Sequence, residues 1–245
     1  MTSLTAVAHR GHPYRARENT LPSLRSALAA GADAVEFDVR VTRDGVPVLL
    51  HDATLERLWG HDRRLPDLGA ADLRRLTGGG VPTLREALAE FAAYPAARAL
   101  VDLPDASAVP AALDEIRDSG MRERVYYCGD TAALFAVRAR EAGAEIALTW
   151  TTLAPPRPAL LSALRPRWLN YRFGLLSGAL VARAHADGLL VSAWTPDTRR
   201  SMNRLLRHGV DSITTNRIDC LSRLLGRGPG TRRRSRDAAP SAGTP

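Results

Sequence analysis

The chain has 245 residues, of which 45% are hydrophobic and 24% charged, and its formal net charge is +8. This composition is typical of a globular protein with a packed core, and the length suits a single α/β barrel domain. No stretch is apolar over the roughly 18 residues of a membrane-spanning helix, and much of the excess Arg lies in residues 227–245, so we expect neither a transmembrane protein nor one that binds nucleic acid.

The first predicted element is a short apolar strand at residues 4–8, which ends on His9-Arg10-Gly11. A helix follows, with Asn19 or Thr20 as its N-cap and Gly31 at its end. Because no basic segment precedes the first strand, the sequence predicts no signal peptide and favours a cytoplasmic location. The two cysteines are far apart in the sequence and are expected to be free thiols, which fits a reducing compartment.

A predicted strand at residues 34–41 carries two carboxylates, Glu36 and Asp38, two positions apart. Side chains two apart on a strand point the same way, so both lie on one face. Two like charges this close repel by about 1 kcal/mol in water and about 4 kcal/mol at an effective dielectric near 20. A hard cation, Mg²⁺ or Ca²⁺, would turn this repulsion into binding. The pair predicts a metal site, although a half-exposed antiparallel strand has the same pattern.

A second apolar run at residues 46–50 leads to His51-Asp52, and Asp44-Gly45 between the two runs is a hairpin signal. Residues 53–80 are polar and short of strand signals, and they predict an insertion or cap. Thr83 and Glu86 form a capping box that opens the next helix. Further strands are predicted at 99–103, 125–128, 146–149, 168–171, 189–194 and 212–215. Further helices are predicted at 109–119, 131–142, 159–164, 176–187 and 198–208.

Strand–helix alternation along the whole chain indicates a parallel sheet wrapped by helices. With this length we predict an α/β fold, a (β/α)8 TIM barrel with a small insertion after the third strand. The strand candidates exceed the eight of a barrel by one, so one of the two runs beside Asp44-Gly45 is expected to be a rim strand, and the sequence does not say which. The barrel is predicted to occupy residues 1–226, followed by a disordered Arg-, Pro- and Gly-rich tail at 227–245.

Titratable groups come at or near the ends of four separate strand candidates. Barrel strands are covered on both faces, so polar groups on them belong at the rim where active sites lie. We therefore expect these groups to meet at one face; they are His9, Glu36 with Asp38, His51 and Asp102. Four other histidines lack partnered spacing and are expected to be surface or hydrogen-bonded residues; they are His12, His61, His185 and His208.

Short motifs recur in a fixed order along residues 4–220. They are His9-Arg10-Gly11, Glu18-Asn19-Thr20-Leu21, Gly31-Ala32-Asp33, Glu36-Phe37-Asp38-Val39, Thr42-Arg43-Asp44-Gly45, His51-Asp52, Pro82-Thr83-Leu84, Ala193-Trp194-Thr195 and the segment 209–215. In this order and spacing, the set resembles the glycerophosphodiester phosphodiesterase family. Each motif alone is common, whereas the ordered set is specific.

The resemblance implies a (β/α)8 barrel that hydrolyses small-molecule glycerophosphodiesters to glycerol 3-phosphate and an alcohol with a divalent cation. It implies the following site residues: Glu36, Asp38 and Asp102 on the metal, His9 and His51 for proton transfer, and Arg10 on the phosphate. Trp194 lies on an apolar predicted strand, and it either packs in the core or lines the pocket for the alcohol.

The chain departs from the family pattern at Asp102-Leu103-Pro104, where the family usually has Glu, one residue and Lys. Asp102 is one methylene shorter, and Pro104 offers no ammonium; loss of one such electrostatic donor commonly costs about 10² to 10³ in rate. Arg172 is a candidate to compensate. Asn216-Arg217 is a second departure, because the family tends to have Asp there, followed by a residue that leads to Pro. Two other functions stay open: a catalytically weakened or inactive phosphate-ligand-binding barrel, and a lysophospholipase-D-type phosphodiesterase with an acyl groove in residues 53–80.

Overall fold

The computed structural model describes residues 4–227, and the predicted tail beyond Arg227 lies outside them. The strands are β1 (Thr5–Ala8), β2 (Ala34–Val41), β3 (Pro47–Leu49), β4 (Thr54–Leu55), β5 (His61–Arg64), β6 (Arg98–Leu103), β7 (Val125–Gly129), β8 (Ala147–Trp150), β9 (Trp168–Arg172), β10 (Leu190–Trp194) and β11 (Ser212–Thr215). The α-helices are α1 (Leu21–Ala29), α2 (Glu56–Trp59), α3 (Ala70–Thr77), α4 (Leu84–Ala89), α5 (Val109–Asp118), α6 (Thr131–Arg140), α7 (Pro158–Leu164), α8 (Gly178–Ala186), α9 (Arg199–His208) and α10 (Ile218–Leu224).

Eight parallel strands form the barrel, in the order β7-β6-β2-β1-β11-β10-β9-β8. The two ends of this order meet through a parallel bridge between Tyr127 and Ile146, and the Tyr127 amide donates to the Glu145 carbonyl at 3.0 Å. The sheet therefore closes on itself, with helices between successive strands. The predicted (β/α)8 barrel is confirmed.

The additional strand is β3, which pairs antiparallel with the end of β2 and lies off the barrel order. Val39 faces Leu49 and Val41 faces Pro47 in this hairpin. Gly45 in the turn has a φ of +82°, a left-handed value that glycine adopts without steric cost. The second of the two runs beside Asp44-Gly45 is therefore the rim strand, a choice that the sequence left open.

The insertion after β3 is more regular than its composition suggests. It contains the two-stranded antiparallel sheet of β4 and β5 together with α2 and α3. Residues 53–80 carry few strand signals in the sequence, yet they form two short strands within the predicted insertion. A separate apolar cluster supports the insertion; its buried members are Val48, Leu50, Leu55, Leu65, Leu68, Leu73 and Val81. These few apolar residues are spread among charged ones, which is why the polar average of the segment hides them.

The barrel interior and the strand–helix layer have separate cores. A cluster of strand residues fills the interior; its members are Val7, Ala34, Leu100, Tyr126, Cys128, Ala147 and Trp168. The larger cluster lies between the sheet and the helices and contains Val35, Phe37 and Val39. Because side chains alternate along β2, Glu36 and Asp38 point the same way as Ala34, into the barrel.

The residues at the two ends of the described chain are tied together. Arg227, the first residue of the predicted tail, pairs with Asp33 at 2.5 Å and donates to the Leu4 carbonyl at 3.0 Å. The packed part of the chain therefore includes Arg227. Both cysteines are buried free thiols, as expected.

Candidate active site

Three carboxylates meet at the carboxyl-terminal end of the barrel strands. The parallel pairing of β2 with β6 puts Asp38 opposite Asp102, one residue pair beyond Phe37 and Val101. One oxygen from each of Glu36, Asp38 and Asp102 lies within 4.8 Å of the others. Asp102 therefore reaches the cluster despite its shorter side chain.

The electrostatics of this cluster are unfavourable without a positive charge. Glu36 and Asp38 are 3% and 4% exposed. Burial, followed by the charges of Asp38 and Asp102, raises the pKa of Glu36 well above its ordinary value. Burial and the charge of Asp38 raise the pKa of Asp102 to about 6. Carboxylate oxygens are ligands for hard divalent cations, so the donor set and its charge both fit such an ion.

Arg10 lies against two of these acids. Its backbone has a φ of +53°, and its amide donates to Glu36 Oε2 at 2.8 Å. Its guanidinium contacts Asp38 Oδ2 through Nε at 3.1 Å and Glu18 Oε1 through Nη1 at 2.9 Å. A Cβ at Gly11 would lie 2.4 Å from Ser23 Oγ, so the loop after β1 requires glycine there. Arg10 is thereby held beside the carboxylates.

Asn19 supports Asp38 rather than the helix. Its Nδ2 donates to Asp38 Oδ2 at 2.7 Å, and the Asp38 amide donates to Asn19 Oδ1 at 3.3 Å. The N-cap of α1 is Thr20, whose side chain accepts from the Ser23 amide. Helix capping therefore does not explain Asn19, contrary to one of the two sequence expectations.

His9 follows β1 directly and has a fixed hydrogen-bond partner. Its Nδ1 lies 2.8 Å from Asn216 Oδ1, and Asn216 Nδ2 donates to Asp197 Oδ2 at 2.8 Å. Because Asp197 takes the amide protons of Asn216, the Asn216 oxygen must accept from His9, so Nδ1 carries the proton. Nε2 then has a free lone pair, 3.9 Å from Glu36 Oε2. Burial, followed by the Arg10 charge, lowers the pKa of His9.

His51 follows β3 and has a different partner. Its Nδ1 lies 2.6 Å from Asp52 Oδ1. Asp52 Oδ2 accepts from Arg57 Nε at 2.6 Å, and Arg57 Nη2 donates to Glu18 Oε1 at 2.6 Å. The hydrogen bond from Arg57, followed by that from His51, lowers the pKa of Asp52 to about 2. His51 therefore faces a carboxylate that stays ionised.

The structure also locates four other residues that the sequence analysis named: Trp194, Arg172, His12 and His185. Trp194 ends β10, half-buried, and its Nε1 donates to the Asn170 carbonyl at 3.3 Å. The Arg172 guanidinium lies 5.9 Å from the centre of its ring. His12 is 3% exposed with Nδ1 3.0 Å from Ser26 Oγ, and His185 pairs with Asp211 at 2.7 Å.

Five supporting residues have no sequence signal of their own as site residues. They are Glu18, Asp52, Arg57, Asp197 and Asn216. Glu18 and Asp52 belong to recognised motifs, yet nothing in their spacing predicts contact with Arg57, which lies 39 residues beyond Glu18. Asn216 lies 207 residues from His9. Only the folded barrel brings such distant positions together.

The fold and the site define a TIM-barrel protein with an acid cluster and two partnered histidines at the carboxyl-terminal rim. Comparison with known proteins agrees with this class. The family model described as the glycerophosphoryl diester phosphodiesterase family matches residues 9–220. The chain belongs to this family.

Relatives cover the chain to different extents. "Probable glycerophosphodiester phosphodiesterase 2" of Mycobacterium tuberculosis is 31% identical over 245 residues, 90% of each chain. Human "Glycerophosphodiester phosphodiesterase 1" is 41% identical over 99 residues, which span 36% of this chain and 30% of the human protein. The crystal structure of a homologue from Silicibacter pomeroyi DSS-3 superposes with a TM-score of 0.83 at 26% identity, covering 91% of this chain and 93% of that one. Within residues 4–227, no helix has both the length and the apolar character to cross a membrane.

Proposed function

We propose that this protein hydrolyses glycerophosphodiesters to glycerol 3-phosphate and an alcohol. Family membership supports the reaction class. The observation that carries the proposal is the group of three carboxylates beside two histidines that have chemically different partners. One imidazole suits the acceptance of a proton and the other its donation, which is what cleavage of a phosphodiester requires.

Glu36, Asp38 and Asp102 are the residues that would hold a divalent cation, Mg²⁺ or Ca²⁺. When bound, such a cation would neutralise phosphate charge and lower the pKa of a neighbouring hydroxyl. Asn19 and Arg10 keep two of these acids in place through the contacts to Asp38 and Glu36. The Arg10 guanidinium also adds a fixed positive charge that would attract the phosphodiester.

His9 is the proposed general base. Its Nδ1 proton is held by Asn216, and its lowered pKa keeps the ring neutral near pH 7. Nε2 can therefore accept the proton of the glycerol hydroxyl next to the phosphate. The freed oxygen attacks phosphorus and forms a cyclic phosphate.

His51 is the proposed general acid. The Asp52 carboxylate at Nδ1 orients the ring, so that Nε2 can deliver a proton to the leaving alcohol oxygen. Water then opens the cyclic phosphate with the two roles reversed, since His51 is now neutral and His9 charged. Each histidine thus returns to its starting state after one turnover.

Two side chains are proposed to contact the remainder of the substrate. Trp194 stands at the end of β10, at the same rim as the acids, and would line the pocket for the alcohol. Arg172 lies over its ring and is the proposed replacement for the positive charge that Pro104 does not supply.

A lysophospholipid is the second candidate substrate, and one feature favours it. A groove of about 410 Å³ runs along the insertion. Leu21, Pro22 and Trp59 give it an apolar lining, and Arg17, Arg25 and the glycines at 78–80 also line it. This groove is a candidate for an acyl chain, so lysophosphatidylcholine belongs in the assay. A non-catalytic phosphate-binding barrel is disfavoured because both histidines keep specific partners, which ligand binding alone does not need.

The test uses protein stripped of metal and then given Mg²⁺, Ca²⁺ or Mn²⁺. We expect release of glycerol 3-phosphate from glycerophosphocholine, and a loss of at least about 10² in rate for His51→Ala. His208→Ala is the matched control, since His208 lies half-buried in the last turn of α9 and is not among the site residues. Metal-dependent thermal stabilisation without turnover of any phosphodiester would instead favour the binding protein. Unchanged turnover in His51→Ala would remove His51 from the mechanism.

A further inference from the structure

Arg57 is the residue through which the insertion reaches the active site. It lies on α2, and its side chain is 47% exposed. Its guanidinium contacts two carboxylates in different segments: Nε reaches Asp52 Oδ2 and Nη2 reaches Glu18 Oε1, both at 2.6 Å. A planar guanidinium presents donors at fixed angles, so both carboxylates are oriented by one side chain.

Each of these carboxylates leads to a different part of the site. Asp52 uses its other oxygen, Oδ1, for Nδ1 of His51 at 2.6 Å. Glu18 shares Oε1 with Arg10 Nη1 at 2.9 Å. Arg10 in turn contacts Asp38 through Nε at 3.1 Å. A continuous chain of charged contacts therefore runs from His51, through the insertion, to the acid cluster.

We propose that Arg57 is a positioning residue that holds His51 and Arg10 in register across the active site. The proposal rests on the proposed function, and it adds a catalytic role for the insertion. Arg57 fixes the rotation of the Asp52 carboxylate, so that Oδ1 faces His51. It also limits the movement of Glu18, the only side chain among the described residues that bridges Arg10 and Arg57.

If Arg57 only stabilised the fold, its removal would lower the thermal stability of the protein. The Arg57 contacts are partly solvated, and ion pairs of this kind contribute little to stability. The insertion is anchored instead by its own apolar cluster, which includes Leu55 immediately before α2. Removal of Arg57 should therefore leave the fold intact while it loosens two catalytic groups.

The experiment compares Arg57→Met and Arg57→Lys with Arg75→Met. Arg75 is the matched control, because it lies in the same insertion, is 71% exposed and pairs only with Asp72 among the described residues. We expect Arg57→Met to lower kcat about 10- to 100-fold, with KM within about threefold of wild type. Arg57→Lys should recover only part of the loss. It keeps the positive charge, but an ammonium lacks the fork that reaches both carboxylates. The thermal midpoints of all three variants should stay near that of wild type.

A double-mutant cycle with Asp52→Asn identifies the path of the effect. If Arg57 acts through Asp52, the double variant loses less than the product of the two single losses. Multiplicative losses, or wild-type kcat in Arg57→Met, would overturn the proposal.

A second measurement does not depend on turnover. The ¹⁵N shifts of the His51 ring report whether the proton of the neutral imidazole resides on Nδ1, and His51→Ala identifies the signals. We expect the Nδ1–H form in wild type and in Arg75→Met, and a mixture of tautomers in Arg57→Met. If the His51 tautomer differs between wild type and Arg57→Met but the wild type releases no glycerol 3-phosphate, the proposed function is refuted and the positioning role is supported. An active wild type with the same His51 tautomer in Arg57→Met would refute the positioning role alone.

Discussion

Cation binding at the three acids should weaken sharply when the pH falls through about 6. Burial and the neighbouring charge of Asp38 raise the pKa of Asp102 to about 6, and burial raises that of Glu36 well above its ordinary value. A carboxyl group with a raised pKa takes up its proton at a higher pH than usual, and a cation binds only the ionised form. Affinity is therefore full above this range and is lost below it.

The magnitude follows from the ionised fraction of Asp102. With a pKa of about 6, the group is about nine-tenths ionised at pH 7 and about one-tenth ionised at pH 5. Asp102 alone should lower the affinity about tenfold between these two values. Glu36 should steepen the loss, since its pKa is also raised.

Isothermal titration calorimetry with Mn²⁺ or Mg²⁺ at pH 5, 6, 7 and 8 measures this loss. Two buffers of different ionisation enthalpy count the protons released on binding. We expect proton release near pH 6 and a shallower pH dependence in Asp102→Asn, which binds more weakly but loses one titrating group. The same affinity at pH 5 and pH 7, with no proton released, would refute the claim that the raised pKa values of Asp102 and Glu36 control cation binding.

Three further predictions concern residues around the site. Asn216→Leu should lower kcat about 10²-fold, because Nδ1 of His9 loses the acceptor that holds its tautomer. Steady-state kinetics measures this loss, and a kcat near that of wild type would contradict the prediction. Gly11→Ala should destabilise the fold by roughly 1–3 kcal/mol, because its φ is +85° and its Cβ would overlap Ser23, and urea unfolding would measure the cost. Burial lowers the pKa of His12, so the unfolded chain takes up the proton first, and unfolding free energy should fall as the pH drops below about 6.5. His12→Gln should reduce that slope, and an unchanged slope would contradict the prediction.

Local sequence patterns predicted the frame of the molecule. The two-residue period of residues 34–41 put Glu36 and Asp38 on one face, and the structure places that face inside the barrel. Strand–helix alternation predicted the barrel because each βα unit repeats the same short-range pattern. The ordered motifs predicted the family from the same residues. These signals are local, so they survive in a single sequence.

Tertiary structure decided which residues meet. Asn19 and Thr20 are both capable N-caps, and only the contact with Asp38 assigns Asn19 to the site. The different partners of His9 and His51 come from the fold and not from local spacing. Asn216, the partner of His9, lies near the other end of the chain, and Asp52, the partner of His51, is oriented by Arg57 of the insertion. Periodicity states which face a side chain occupies but not what stands opposite, because strand register and loop packing depend on the whole chain.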